Sequence, residues 1–337
     1  MHGVQRLAAP AGIVFAVAAF VMLPSGASAS HDGETASDVQ LIAAATGDEA
    51  SKGREEQVAQ NWAEEGAETC MECHDEPPTT LILHRPHGQM ADSRTPFAGR
   101  QCEACHGASP QHLEKPAEGE ERTPVTIRFG PDSPNPVSEQ NGVCLNCHES
   151  GKRMHWRGST HQFNDVACAS CHNVHAVRDP VRTADNQKDV CFTCHMEIRG
   201  QIYQRSHHPI REEILACSDC HNPHGSFAQT LLTKATVNDT CYECHEEKRG
   251  PFLWEHQPVR EDCTICHKPH GSTQPKLLQV RAPWLCQQCH SATFHPGTLY
   301  DGNAIRTLDA HTIANGCMNC HPKVHGSNHP SGNRLTR

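Results

Sequence analysis

The sequence predicts short α-helices joined by irregular loops, with little or no β-structure, laid out as an elongated repeat array. Three observations predict it. Aromatic residues make up 5% of the 337, with 24 Gly and 23 Pro and a mean hydropathy of -0.61, which is too little apolar side chain for an ordinary core in so long a chain. All 20 cysteines fall in CxxCH motifs. Like motifs recur at steps of 47, 50 and 45 residues from Cys144 to Cys191, Cys241 and Cys286, the signature of a repeated unit whose neighbours stack in one dimension.

The ten motifs are Cys70/Cys73/His74, Cys102/Cys105/His106, Cys144/Cys147/His148, Cys168/Cys171/His172, Cys191/Cys194/His195, Cys217/Cys220/His221, Cys241/Cys244/His245, Cys263/Cys266/His267, Cys286/Cys289/His290 and Cys317/Cys320/His321. Two thiols three positions apart can add to the two vinyl groups of one porphyrin, and the next histidine then reaches the iron from the same side. Zinc knuckles and a disulfide framework also use paired cysteines. Neither requires a histidine directly after the second cysteine, and here it follows every time. The motifs therefore predict ten covalently attached haem c groups and a multihaem cytochrome c fold in which the haems are the core, with an apoprotein largely unfolded.

Residues 1–29 are expected to form a secretory signal peptide, with a basic start at Arg6, an apolar run over 11–23 and an A-x-A site at Ala27, Ser28 and Ala29. No later stretch reads as a membrane-spanning helix. Residues 30–69 form an acidic N-terminal arm, ten acids against Lys52 and Arg54, within a formal net charge of -10. That balance speaks against nucleic-acid binding, which needs a basic surface. The haem-bearing chain is expected to form a first pentahaem half over 70–199 and a second over 200–337, the latter with a C-terminal tail.

Within each repeat two motif types alternate. One reads VCLNCH, VCFTCH, TCYECH and LCQQCH. The other carries a further histidine at once, in CHNVH, CHNPHGS, CHKPHGS and CHPKVHGS. The first unit is irregular: CHGASPQH delays its extra histidine to His112, and a Pro-rich loop over 114–140 follows.

Histidine supply separates an enzyme from a wire, because an iron with an open sixth position can react and one with two protein ligands mainly passes electrons. Of the 27 histidines, ten are proximal and two lie in or beside the signal. Fifteen remain for ten irons: His84, His87, His112, His155, His161, His175, His207, His208, His224, His256, His270, His295, His311, His325 and His329. His175, His224, His270 and His325 follow a proximal histidine by three or four residues, and His161 and His256 precede the next motif by seven. The adjacent His207 and His208 leave two choices. Met90, Met154 and Met196 have no recurrent placement. All ten haems are expected to be bis-histidine, and the chain is expected to be no enzyme.

Over 65–337, stretches such as QCEACHG, VACASCH, CSDCHNPHGS, NDTCYECHEEKRGP, LWEH, RAPWLCQQCH and VHGSNHPSG resemble the MtrA/DmsE family of periplasmic decahaem cytochromes. The resemblance implies distal ligands at His87, His112, His161, His175, His208, His224, His256, His270, His295 and His325. It also implies a periplasmic conduit held within an outer-membrane β-barrel porin. Its implied partners are that porin, an outer-surface multihaem cytochrome, and a periplasmic or inner-membrane cytochrome as electron donor or acceptor, serving extracellular metal reduction or iron oxidation. The rival expectations are a multihaem reductase of a small nitrogen oxide, or a free periplasmic shuttle to a terminal reductase.

Overall fold

In the computed structural model the chain divides into two units, Met1–Ser51 and Lys52–Arg337. The structure describes residues 62–290 and 316–337, all in the second unit. The signal segment, most of the acidic arm, His295 and His311 lie outside the described residues.

The described residues carry short helices and no strands, only four isolated bridges. This is the loop-rich, multihaem architecture that the motifs predict. The α-helices are α1 (Ala67–Met71), α2 (Glu103–His106), α3 (Pro110–Leu113), α4 (Val137–Leu145), α5 (Thr160–Phe163), α6 (Ala184–Phe192), α7 (Met196–Ile202), α8 (Cys217–Cys220), α9 (Val237–Tyr242), α10 (Gln257–Glu261), α11 (Ala282–Gln287) and α12 (Cys317–Cys320). The longest have nine residues, too few to be stable as isolated helices, so what they pack against holds them. Side-chain caps start some of the turns: Ser159 accepts from the Gln162 N–H and Thr236 from the Asp239 N–H.

The two motif types occupy opposite ends of these turns. In the first type a helix runs into the motif, so that α1, α4, α6, α9 and α11 each contain its first cysteine near the C-terminal end. In the second type the turn starts in the motif itself, as in α2, α8, α12 and the 3-10 turns Cys168–Ser170 and Cys263–Ile265. Every motif then closes in the same way. The proximal histidine N–H donates to the carbonyl of the first cysteine at 2.9 to 3.0 Å, from His74 to Cys70 through His321 to Cys317. That closure gathers two thiols and an imidazole within one turn.

Apolar packing is sparse. Among the described residues the buried hydrophobic ones are Ala67, Ile82, Phe97, Trp156, Ala167, Phe192 and Ile202, of which Ala67, Ile82 and Phe97 form a cluster. Polar clips do the work that a core would do elsewhere. In the second two-motif repeat, with motifs at Cys144 and Cys168, the buried Asn141 donates to the Val166 carbonyl and accepts from the Cys168 N–H, at 3.0 and 2.7 Å. Gln187 spans to Val181 and Ser218 in the third unit. Asn238 spans to Val259, Arg260 and Cys263 in the fourth. Each clip ties the helix of one motif to the start of the next.

Adjacent units interlock through the histidine–glycine step. Ser206 pairs with Ser272, and Trp254 with Ser327, by reciprocal backbone hydrogen bonds of 2.7 to 3.0 Å. A Cβ at Gly271 would overlap the Gln201 carbonyl of the preceding unit, and one at Gly225 the His155 carbonyl. Only glycine allows that approach.

Candidate haem sites

The described imidazoles meet in pairs. With metal–nitrogen bonds of about 2.0 Å on each side and ring centres roughly 1.1 Å behind each bonding nitrogen, two axial imidazoles on one metal have centres about 6.2 Å apart. Nine proximal histidines face a second histidine at 5.9 to 6.4 Å: His74 with His112, His87 with His148, His106 with His175, His161 with His195, His172 with His224, His208 with His245, His221 with His270, His256 with His290 and His267 with His325. His321, the tenth, donates from Nδ1 to the Arg334 carbonyl at 2.7 Å, and its expected partner His295 lies outside the described residues. None of the nine pairs contains His84, His155, His207 or His329. His155 packs edge-on against Phe227 at 4.2 Å. His207 is held by the Gln204 carbonyl and Glu212, so His208 is the member of that doublet beside a proximal ring.

The pairing follows a rule that spacing alone does not reveal. A second-type proximal histidine meets the extra histidine of the following unit: His106 with His175, His172 with His224, His221 with His270, His267 with His325. A first-type proximal histidine meets a histidine of the preceding unit: His148 with His87, His195 with His161, His245 with His208, His290 with His256. Every junction between units is thus crossed twice, once in each direction. The first motif has no unit before it, and His112 of its own unit stands opposite His74. The delayed histidine of CHGASPQH closes the end of the array.

Hydrogen bonds at Nδ1 fix the rings and leave Nε2 for a metal. Among the distal set, His161 pairs with the Pro223 carbonyl, His208 with that of Pro269 and His256 with that of Val324, at 2.7, 2.6 and 3.1 Å. Those carbonyls immediately precede His224, His270 and His325, so the two histidines crossing each of these junctions are joined by one hydrogen bond. His112 and His175 use the carbonyls of Thr123 and Thr79. Among proximal rings, His106, His221 and His267 donate to the carbonyls of Ile127, Thr230 and Lys276 at 2.8 to 3.0 Å. Thr230 and Lys276 have positive φ, 53° and 58°, which turns their carbonyls back onto the motif. His172 alone among them reaches a carboxylate, Asp179 Oδ2, at 2.6 Å.

In some of the paired rings burial favours the neutral form, the one that ligates a metal. It pushes the His224 imidazole down to about 4, with His172 adding to the effect. Burial likewise lowers His87, His106, His148, His256, His267, His270 and His325.

The thiols trace the order of the motifs. The first cysteines of the two motifs in each unit lie side by side, Cys70 with Cys102, Cys144 with Cys168, Cys191 with Cys217, Cys241 with Cys263 and Cys286 with Cys317. The neighbouring thiol brings Cys70 and Cys217 down to about 7. Second cysteines lie within electrostatic reach of the next unit, Cys105 of Cys144 and Cys147, Cys171 of Cys194, Cys220 of Cys241 and Cys244, and Cys266 of Cys289. Each motif therefore adjoins the one before and the one after it.

The cysteines are not equally enclosed. All ten first cysteines are half-buried, whereas Cys73, Cys147 and Cys244 are exposed, as are Cys194, Cys220, Cys289 and Cys320. The reason is local. In the first motif type the helix stops two residues short of the second cysteine, at Met71 before Cys73, Leu145 before Cys147 and Tyr242 before Cys244. The second thiol then stands in the turn beyond the helix end, with little chain packed over it. Cys73, Cys147 and Cys244 keep their place beside the proximal histidine, each donating its N–H to the carbonyl of the first cysteine at 3.2 to 3.3 Å.

The residues fit haem on a further observation. The Arg153 Nε and Trp156 Nε1 donors are buried without an acceptor. The Trp156 ring lies 6.3 Å from that of His224, and Arg153 is near enough to influence its charge. A haem between His172 and His224 carries propionate groups, the acceptors these donors lack.

Sequence reasoning misses the clips at Asn141, Gln187 and Asn238, and the carboxylate at Asp179. A polar amide three or four residues before Cys144, Cys191 and Cys241 is the available signal for the first three. Asp179 has no counterpart in the other units and so leaves none.

Known proteins share these features. Residues 207–250 and 256–295 match the doubled CXXCH motif, 102–188 match the cytochrome c-type protein NrfB-like family, and 32–107 match cytochrome c554 and c-prime. The multiheme cytochrome MtrA of Shewanella baltica (strain OS185) is 45% identical over 282 residues, 82% of this chain and 83% of the relative. Cytochrome c-type protein NrfB of Escherichia coli O6:H1 is 32% identical over 39% of this chain and 65% of its own length, and that of Haemophilus influenzae 30% identical over 38% and 64%. The match with MtrA covers most of both chains, and the chain belongs to the MtrA family of multihaem c-type cytochromes.

Proposed function

We propose that this electron-transfer cytochrome is a conduit of ten bis-histidine haems, and that it relays electrons between the periplasm and an outer-surface cytochrome through an outer-membrane porin. The observation that carries the reading is the succession of nine imidazole pairs at axial-ligand spacing among the described residues, with the thiols of each motif adjoining those of the next. Bound haem supplies one-electron iron(III)/iron(II) chemistry. The chain's residues supply the rest: twenty cysteines anchor the groups in order, ten proximal and ten distal histidines fill both axial positions, and the Nδ1 hydrogen bonds hold the rings. Filled axial positions leave no place for a small-molecule substrate, which supports a carrier over a reductase of nitrogen oxides.

Among the described residues no helix is long and apolar enough to cross a membrane. A polar, loop-rich surface facing lipid would leave backbone groups unsatisfied at several kcal/mol each. A conductor across a membrane therefore needs a protein sheath, and similarity to MtrA supports a porin in that role. The test is a liposome holding an internal redox dye, with the cytochrome, a porin encoded beside it and an outer cytochrome in its membrane. External reductant should change the dye only when all three are present. The NrfB relatives are shorter chains that match only part of the array, and a free periplasmic shuttle is the second reading. Silent liposomes and no co-purifying barrel would select it.

A further inference from the structure

The His172–Asp179 contact sets one haem apart. Elsewhere the Nδ1 groups of the paired rings donate to neutral backbone carbonyls where a hydrogen bond is formed. The nearest comparable group is Glu247, 3.9 Å from His245 Nδ1 with both side chains more than half exposed, too far for a hydrogen bond. At His172 the acceptor is a carboxylate at 2.6 Å, and the Asp179 side chain is 14% exposed. Its other oxygen accepts from the Asn173 N–H at 3.2 Å. Asp179 also heads the 3-10 turn Pro180–Arg182, so backbone on both sides of the motif loop fixes the carboxylate.

We propose that Asp179 is a positioning residue that makes the fourth haem a low-potential step in the relay, with three haems before it and six after. The proposal rests on the reading of His172 and His224 as the axial pair. A charged acceptor binds the Nδ1 proton more strongly than a carbonyl does and makes Nε2 a better electron donor to iron. The ferric state gains more from such a donor than the ferrous state. When one electron converts iron(III) to iron(II) at this site, less stabilisation remains, and the potential falls. Lys152 and Arg153, whose charges act on His224, oppose that fall. They are unchanged in an Asp179 variant and drop out of the comparison.

The test uses the mature, haem-loaded protein with Asp179→Asn. Covalent mass and low-spin content should equal those of the parent. One haem of ten should become easier to reduce by on the order of tenfold in its equilibrium constant, about 59 mV for a one-electron couple. The low-spin electron paramagnetic resonance signal of one haem should shift in g-values. Asp179→Glu keeps the charge and should restore most of the parental titration. Should the Asn protein not mature, Asp179→Ser is read in the same way. A variant that titrates like the parent with all haems low-spin overturns the proposal, as does a Glu variant shifted as far as Asn. His224→Ala tests the underlying reading separately. If it leaves every haem low-spin, the axial pairing itself fails. If it converts one haem while Asp179→Asn shifts nothing, only the role of Asp179 falls.

Discussion

Asn238→Ala should destabilise the haem-loaded protein by about 2 to 3 kcal/mol, although Asn238 touches neither a motif thiol nor a paired imidazole. Its Nδ2 donates to the Val259 and Arg260 carbonyls at 2.9 and 3.1 Å, and its Oδ1 accepts from the Cys263 N–H at 2.8 Å. The residue is 7% exposed, and alanine in its place leaves one donor and two acceptors without their partner. Each net hydrogen bond contributes about 1 kcal/mol, and leaving a shielded partner unmade costs about 1 to 3 kcal/mol. Partial hydration of the two carbonyls keeps the sum near the lower end. Asn238→Asp is the control. It retains the acceptor for Cys263 but turns a negative oxygen toward two carbonyls, and should cost at least as much as alanine. Guanidinium denaturation followed by loss of the low-spin spectrum gives the difference as a shift in midpoint. The reasoning is refuted if both variants lie within about 0.5 kcal/mol of the parent, the range of an ordinary surface substitution.

Three further outcomes follow from the same geometry. Mature protein should retain haem through denaturing electrophoresis, with a mass for ten haems and no titratable thiol, because every cysteine lies in a motif; free thiols would show unused motifs, and the exposed Cys73, Cys147 and Cys244 are where an alkylating reagent would find them first. His270→Ala should give one high-spin haem that binds carbon monoxide when reduced, while the parent binds none. Because His270 faces His221, the affected haem should be that of Cys217/Cys220, and in a Cys217→Ala/Cys220→Ala background the substitution should add no further high-spin signal. Gly271→Ala should cost about 1 to 3 kcal/mol through overlap with the Gln201 carbonyl, read again as a denaturation midpoint, whereas Gly142→Ala, with open space around it, should not destabilise.

The sequence shows its chemistry and hides its wiring for a physical reason. Haem attachment is a local event: two thiols and an imidazole must lie within five residues, and the motif states this outright. The extra histidines after His172, His221, His267 and His321 are legible because they recur at fixed spacing. What recurrence cannot state is which iron they serve. His224 lies three residues from His221, yet its ring faces His172 of the unit before; a short helix-poor unit cannot close both faces of its own haems, and its neighbour closes them instead. The hydrogen bond from His161 to the carbonyl preceding His224 spans 62 residues, a separation at which local pattern carries no information.

That exchange also accounts for the irregular first unit. An interior unit gives one histidine forward and one back, so removing a unit strips a ligand from a haem on each side of it. An end unit lacks a neighbour in one direction and needs a histidine of its own. His112 does this for His74 through a displaced spacing and an Nδ1 bond to the Thr123 carbonyl at 2.7 Å, which gives the Pro-rich loop after the second motif a task. A repeat array of this kind grows only by insertion of whole units between its ends. Removing the first unit alone would take His87 from His148 and leave the new first motif to the one histidine it frees, His175, which lost its partner His106 and follows its own proximal histidine by three residues where His112 follows by six. The expected result is a chain with an open, reactive haem at its new end: a carrier turned toward enzyme by the loss of one histidine.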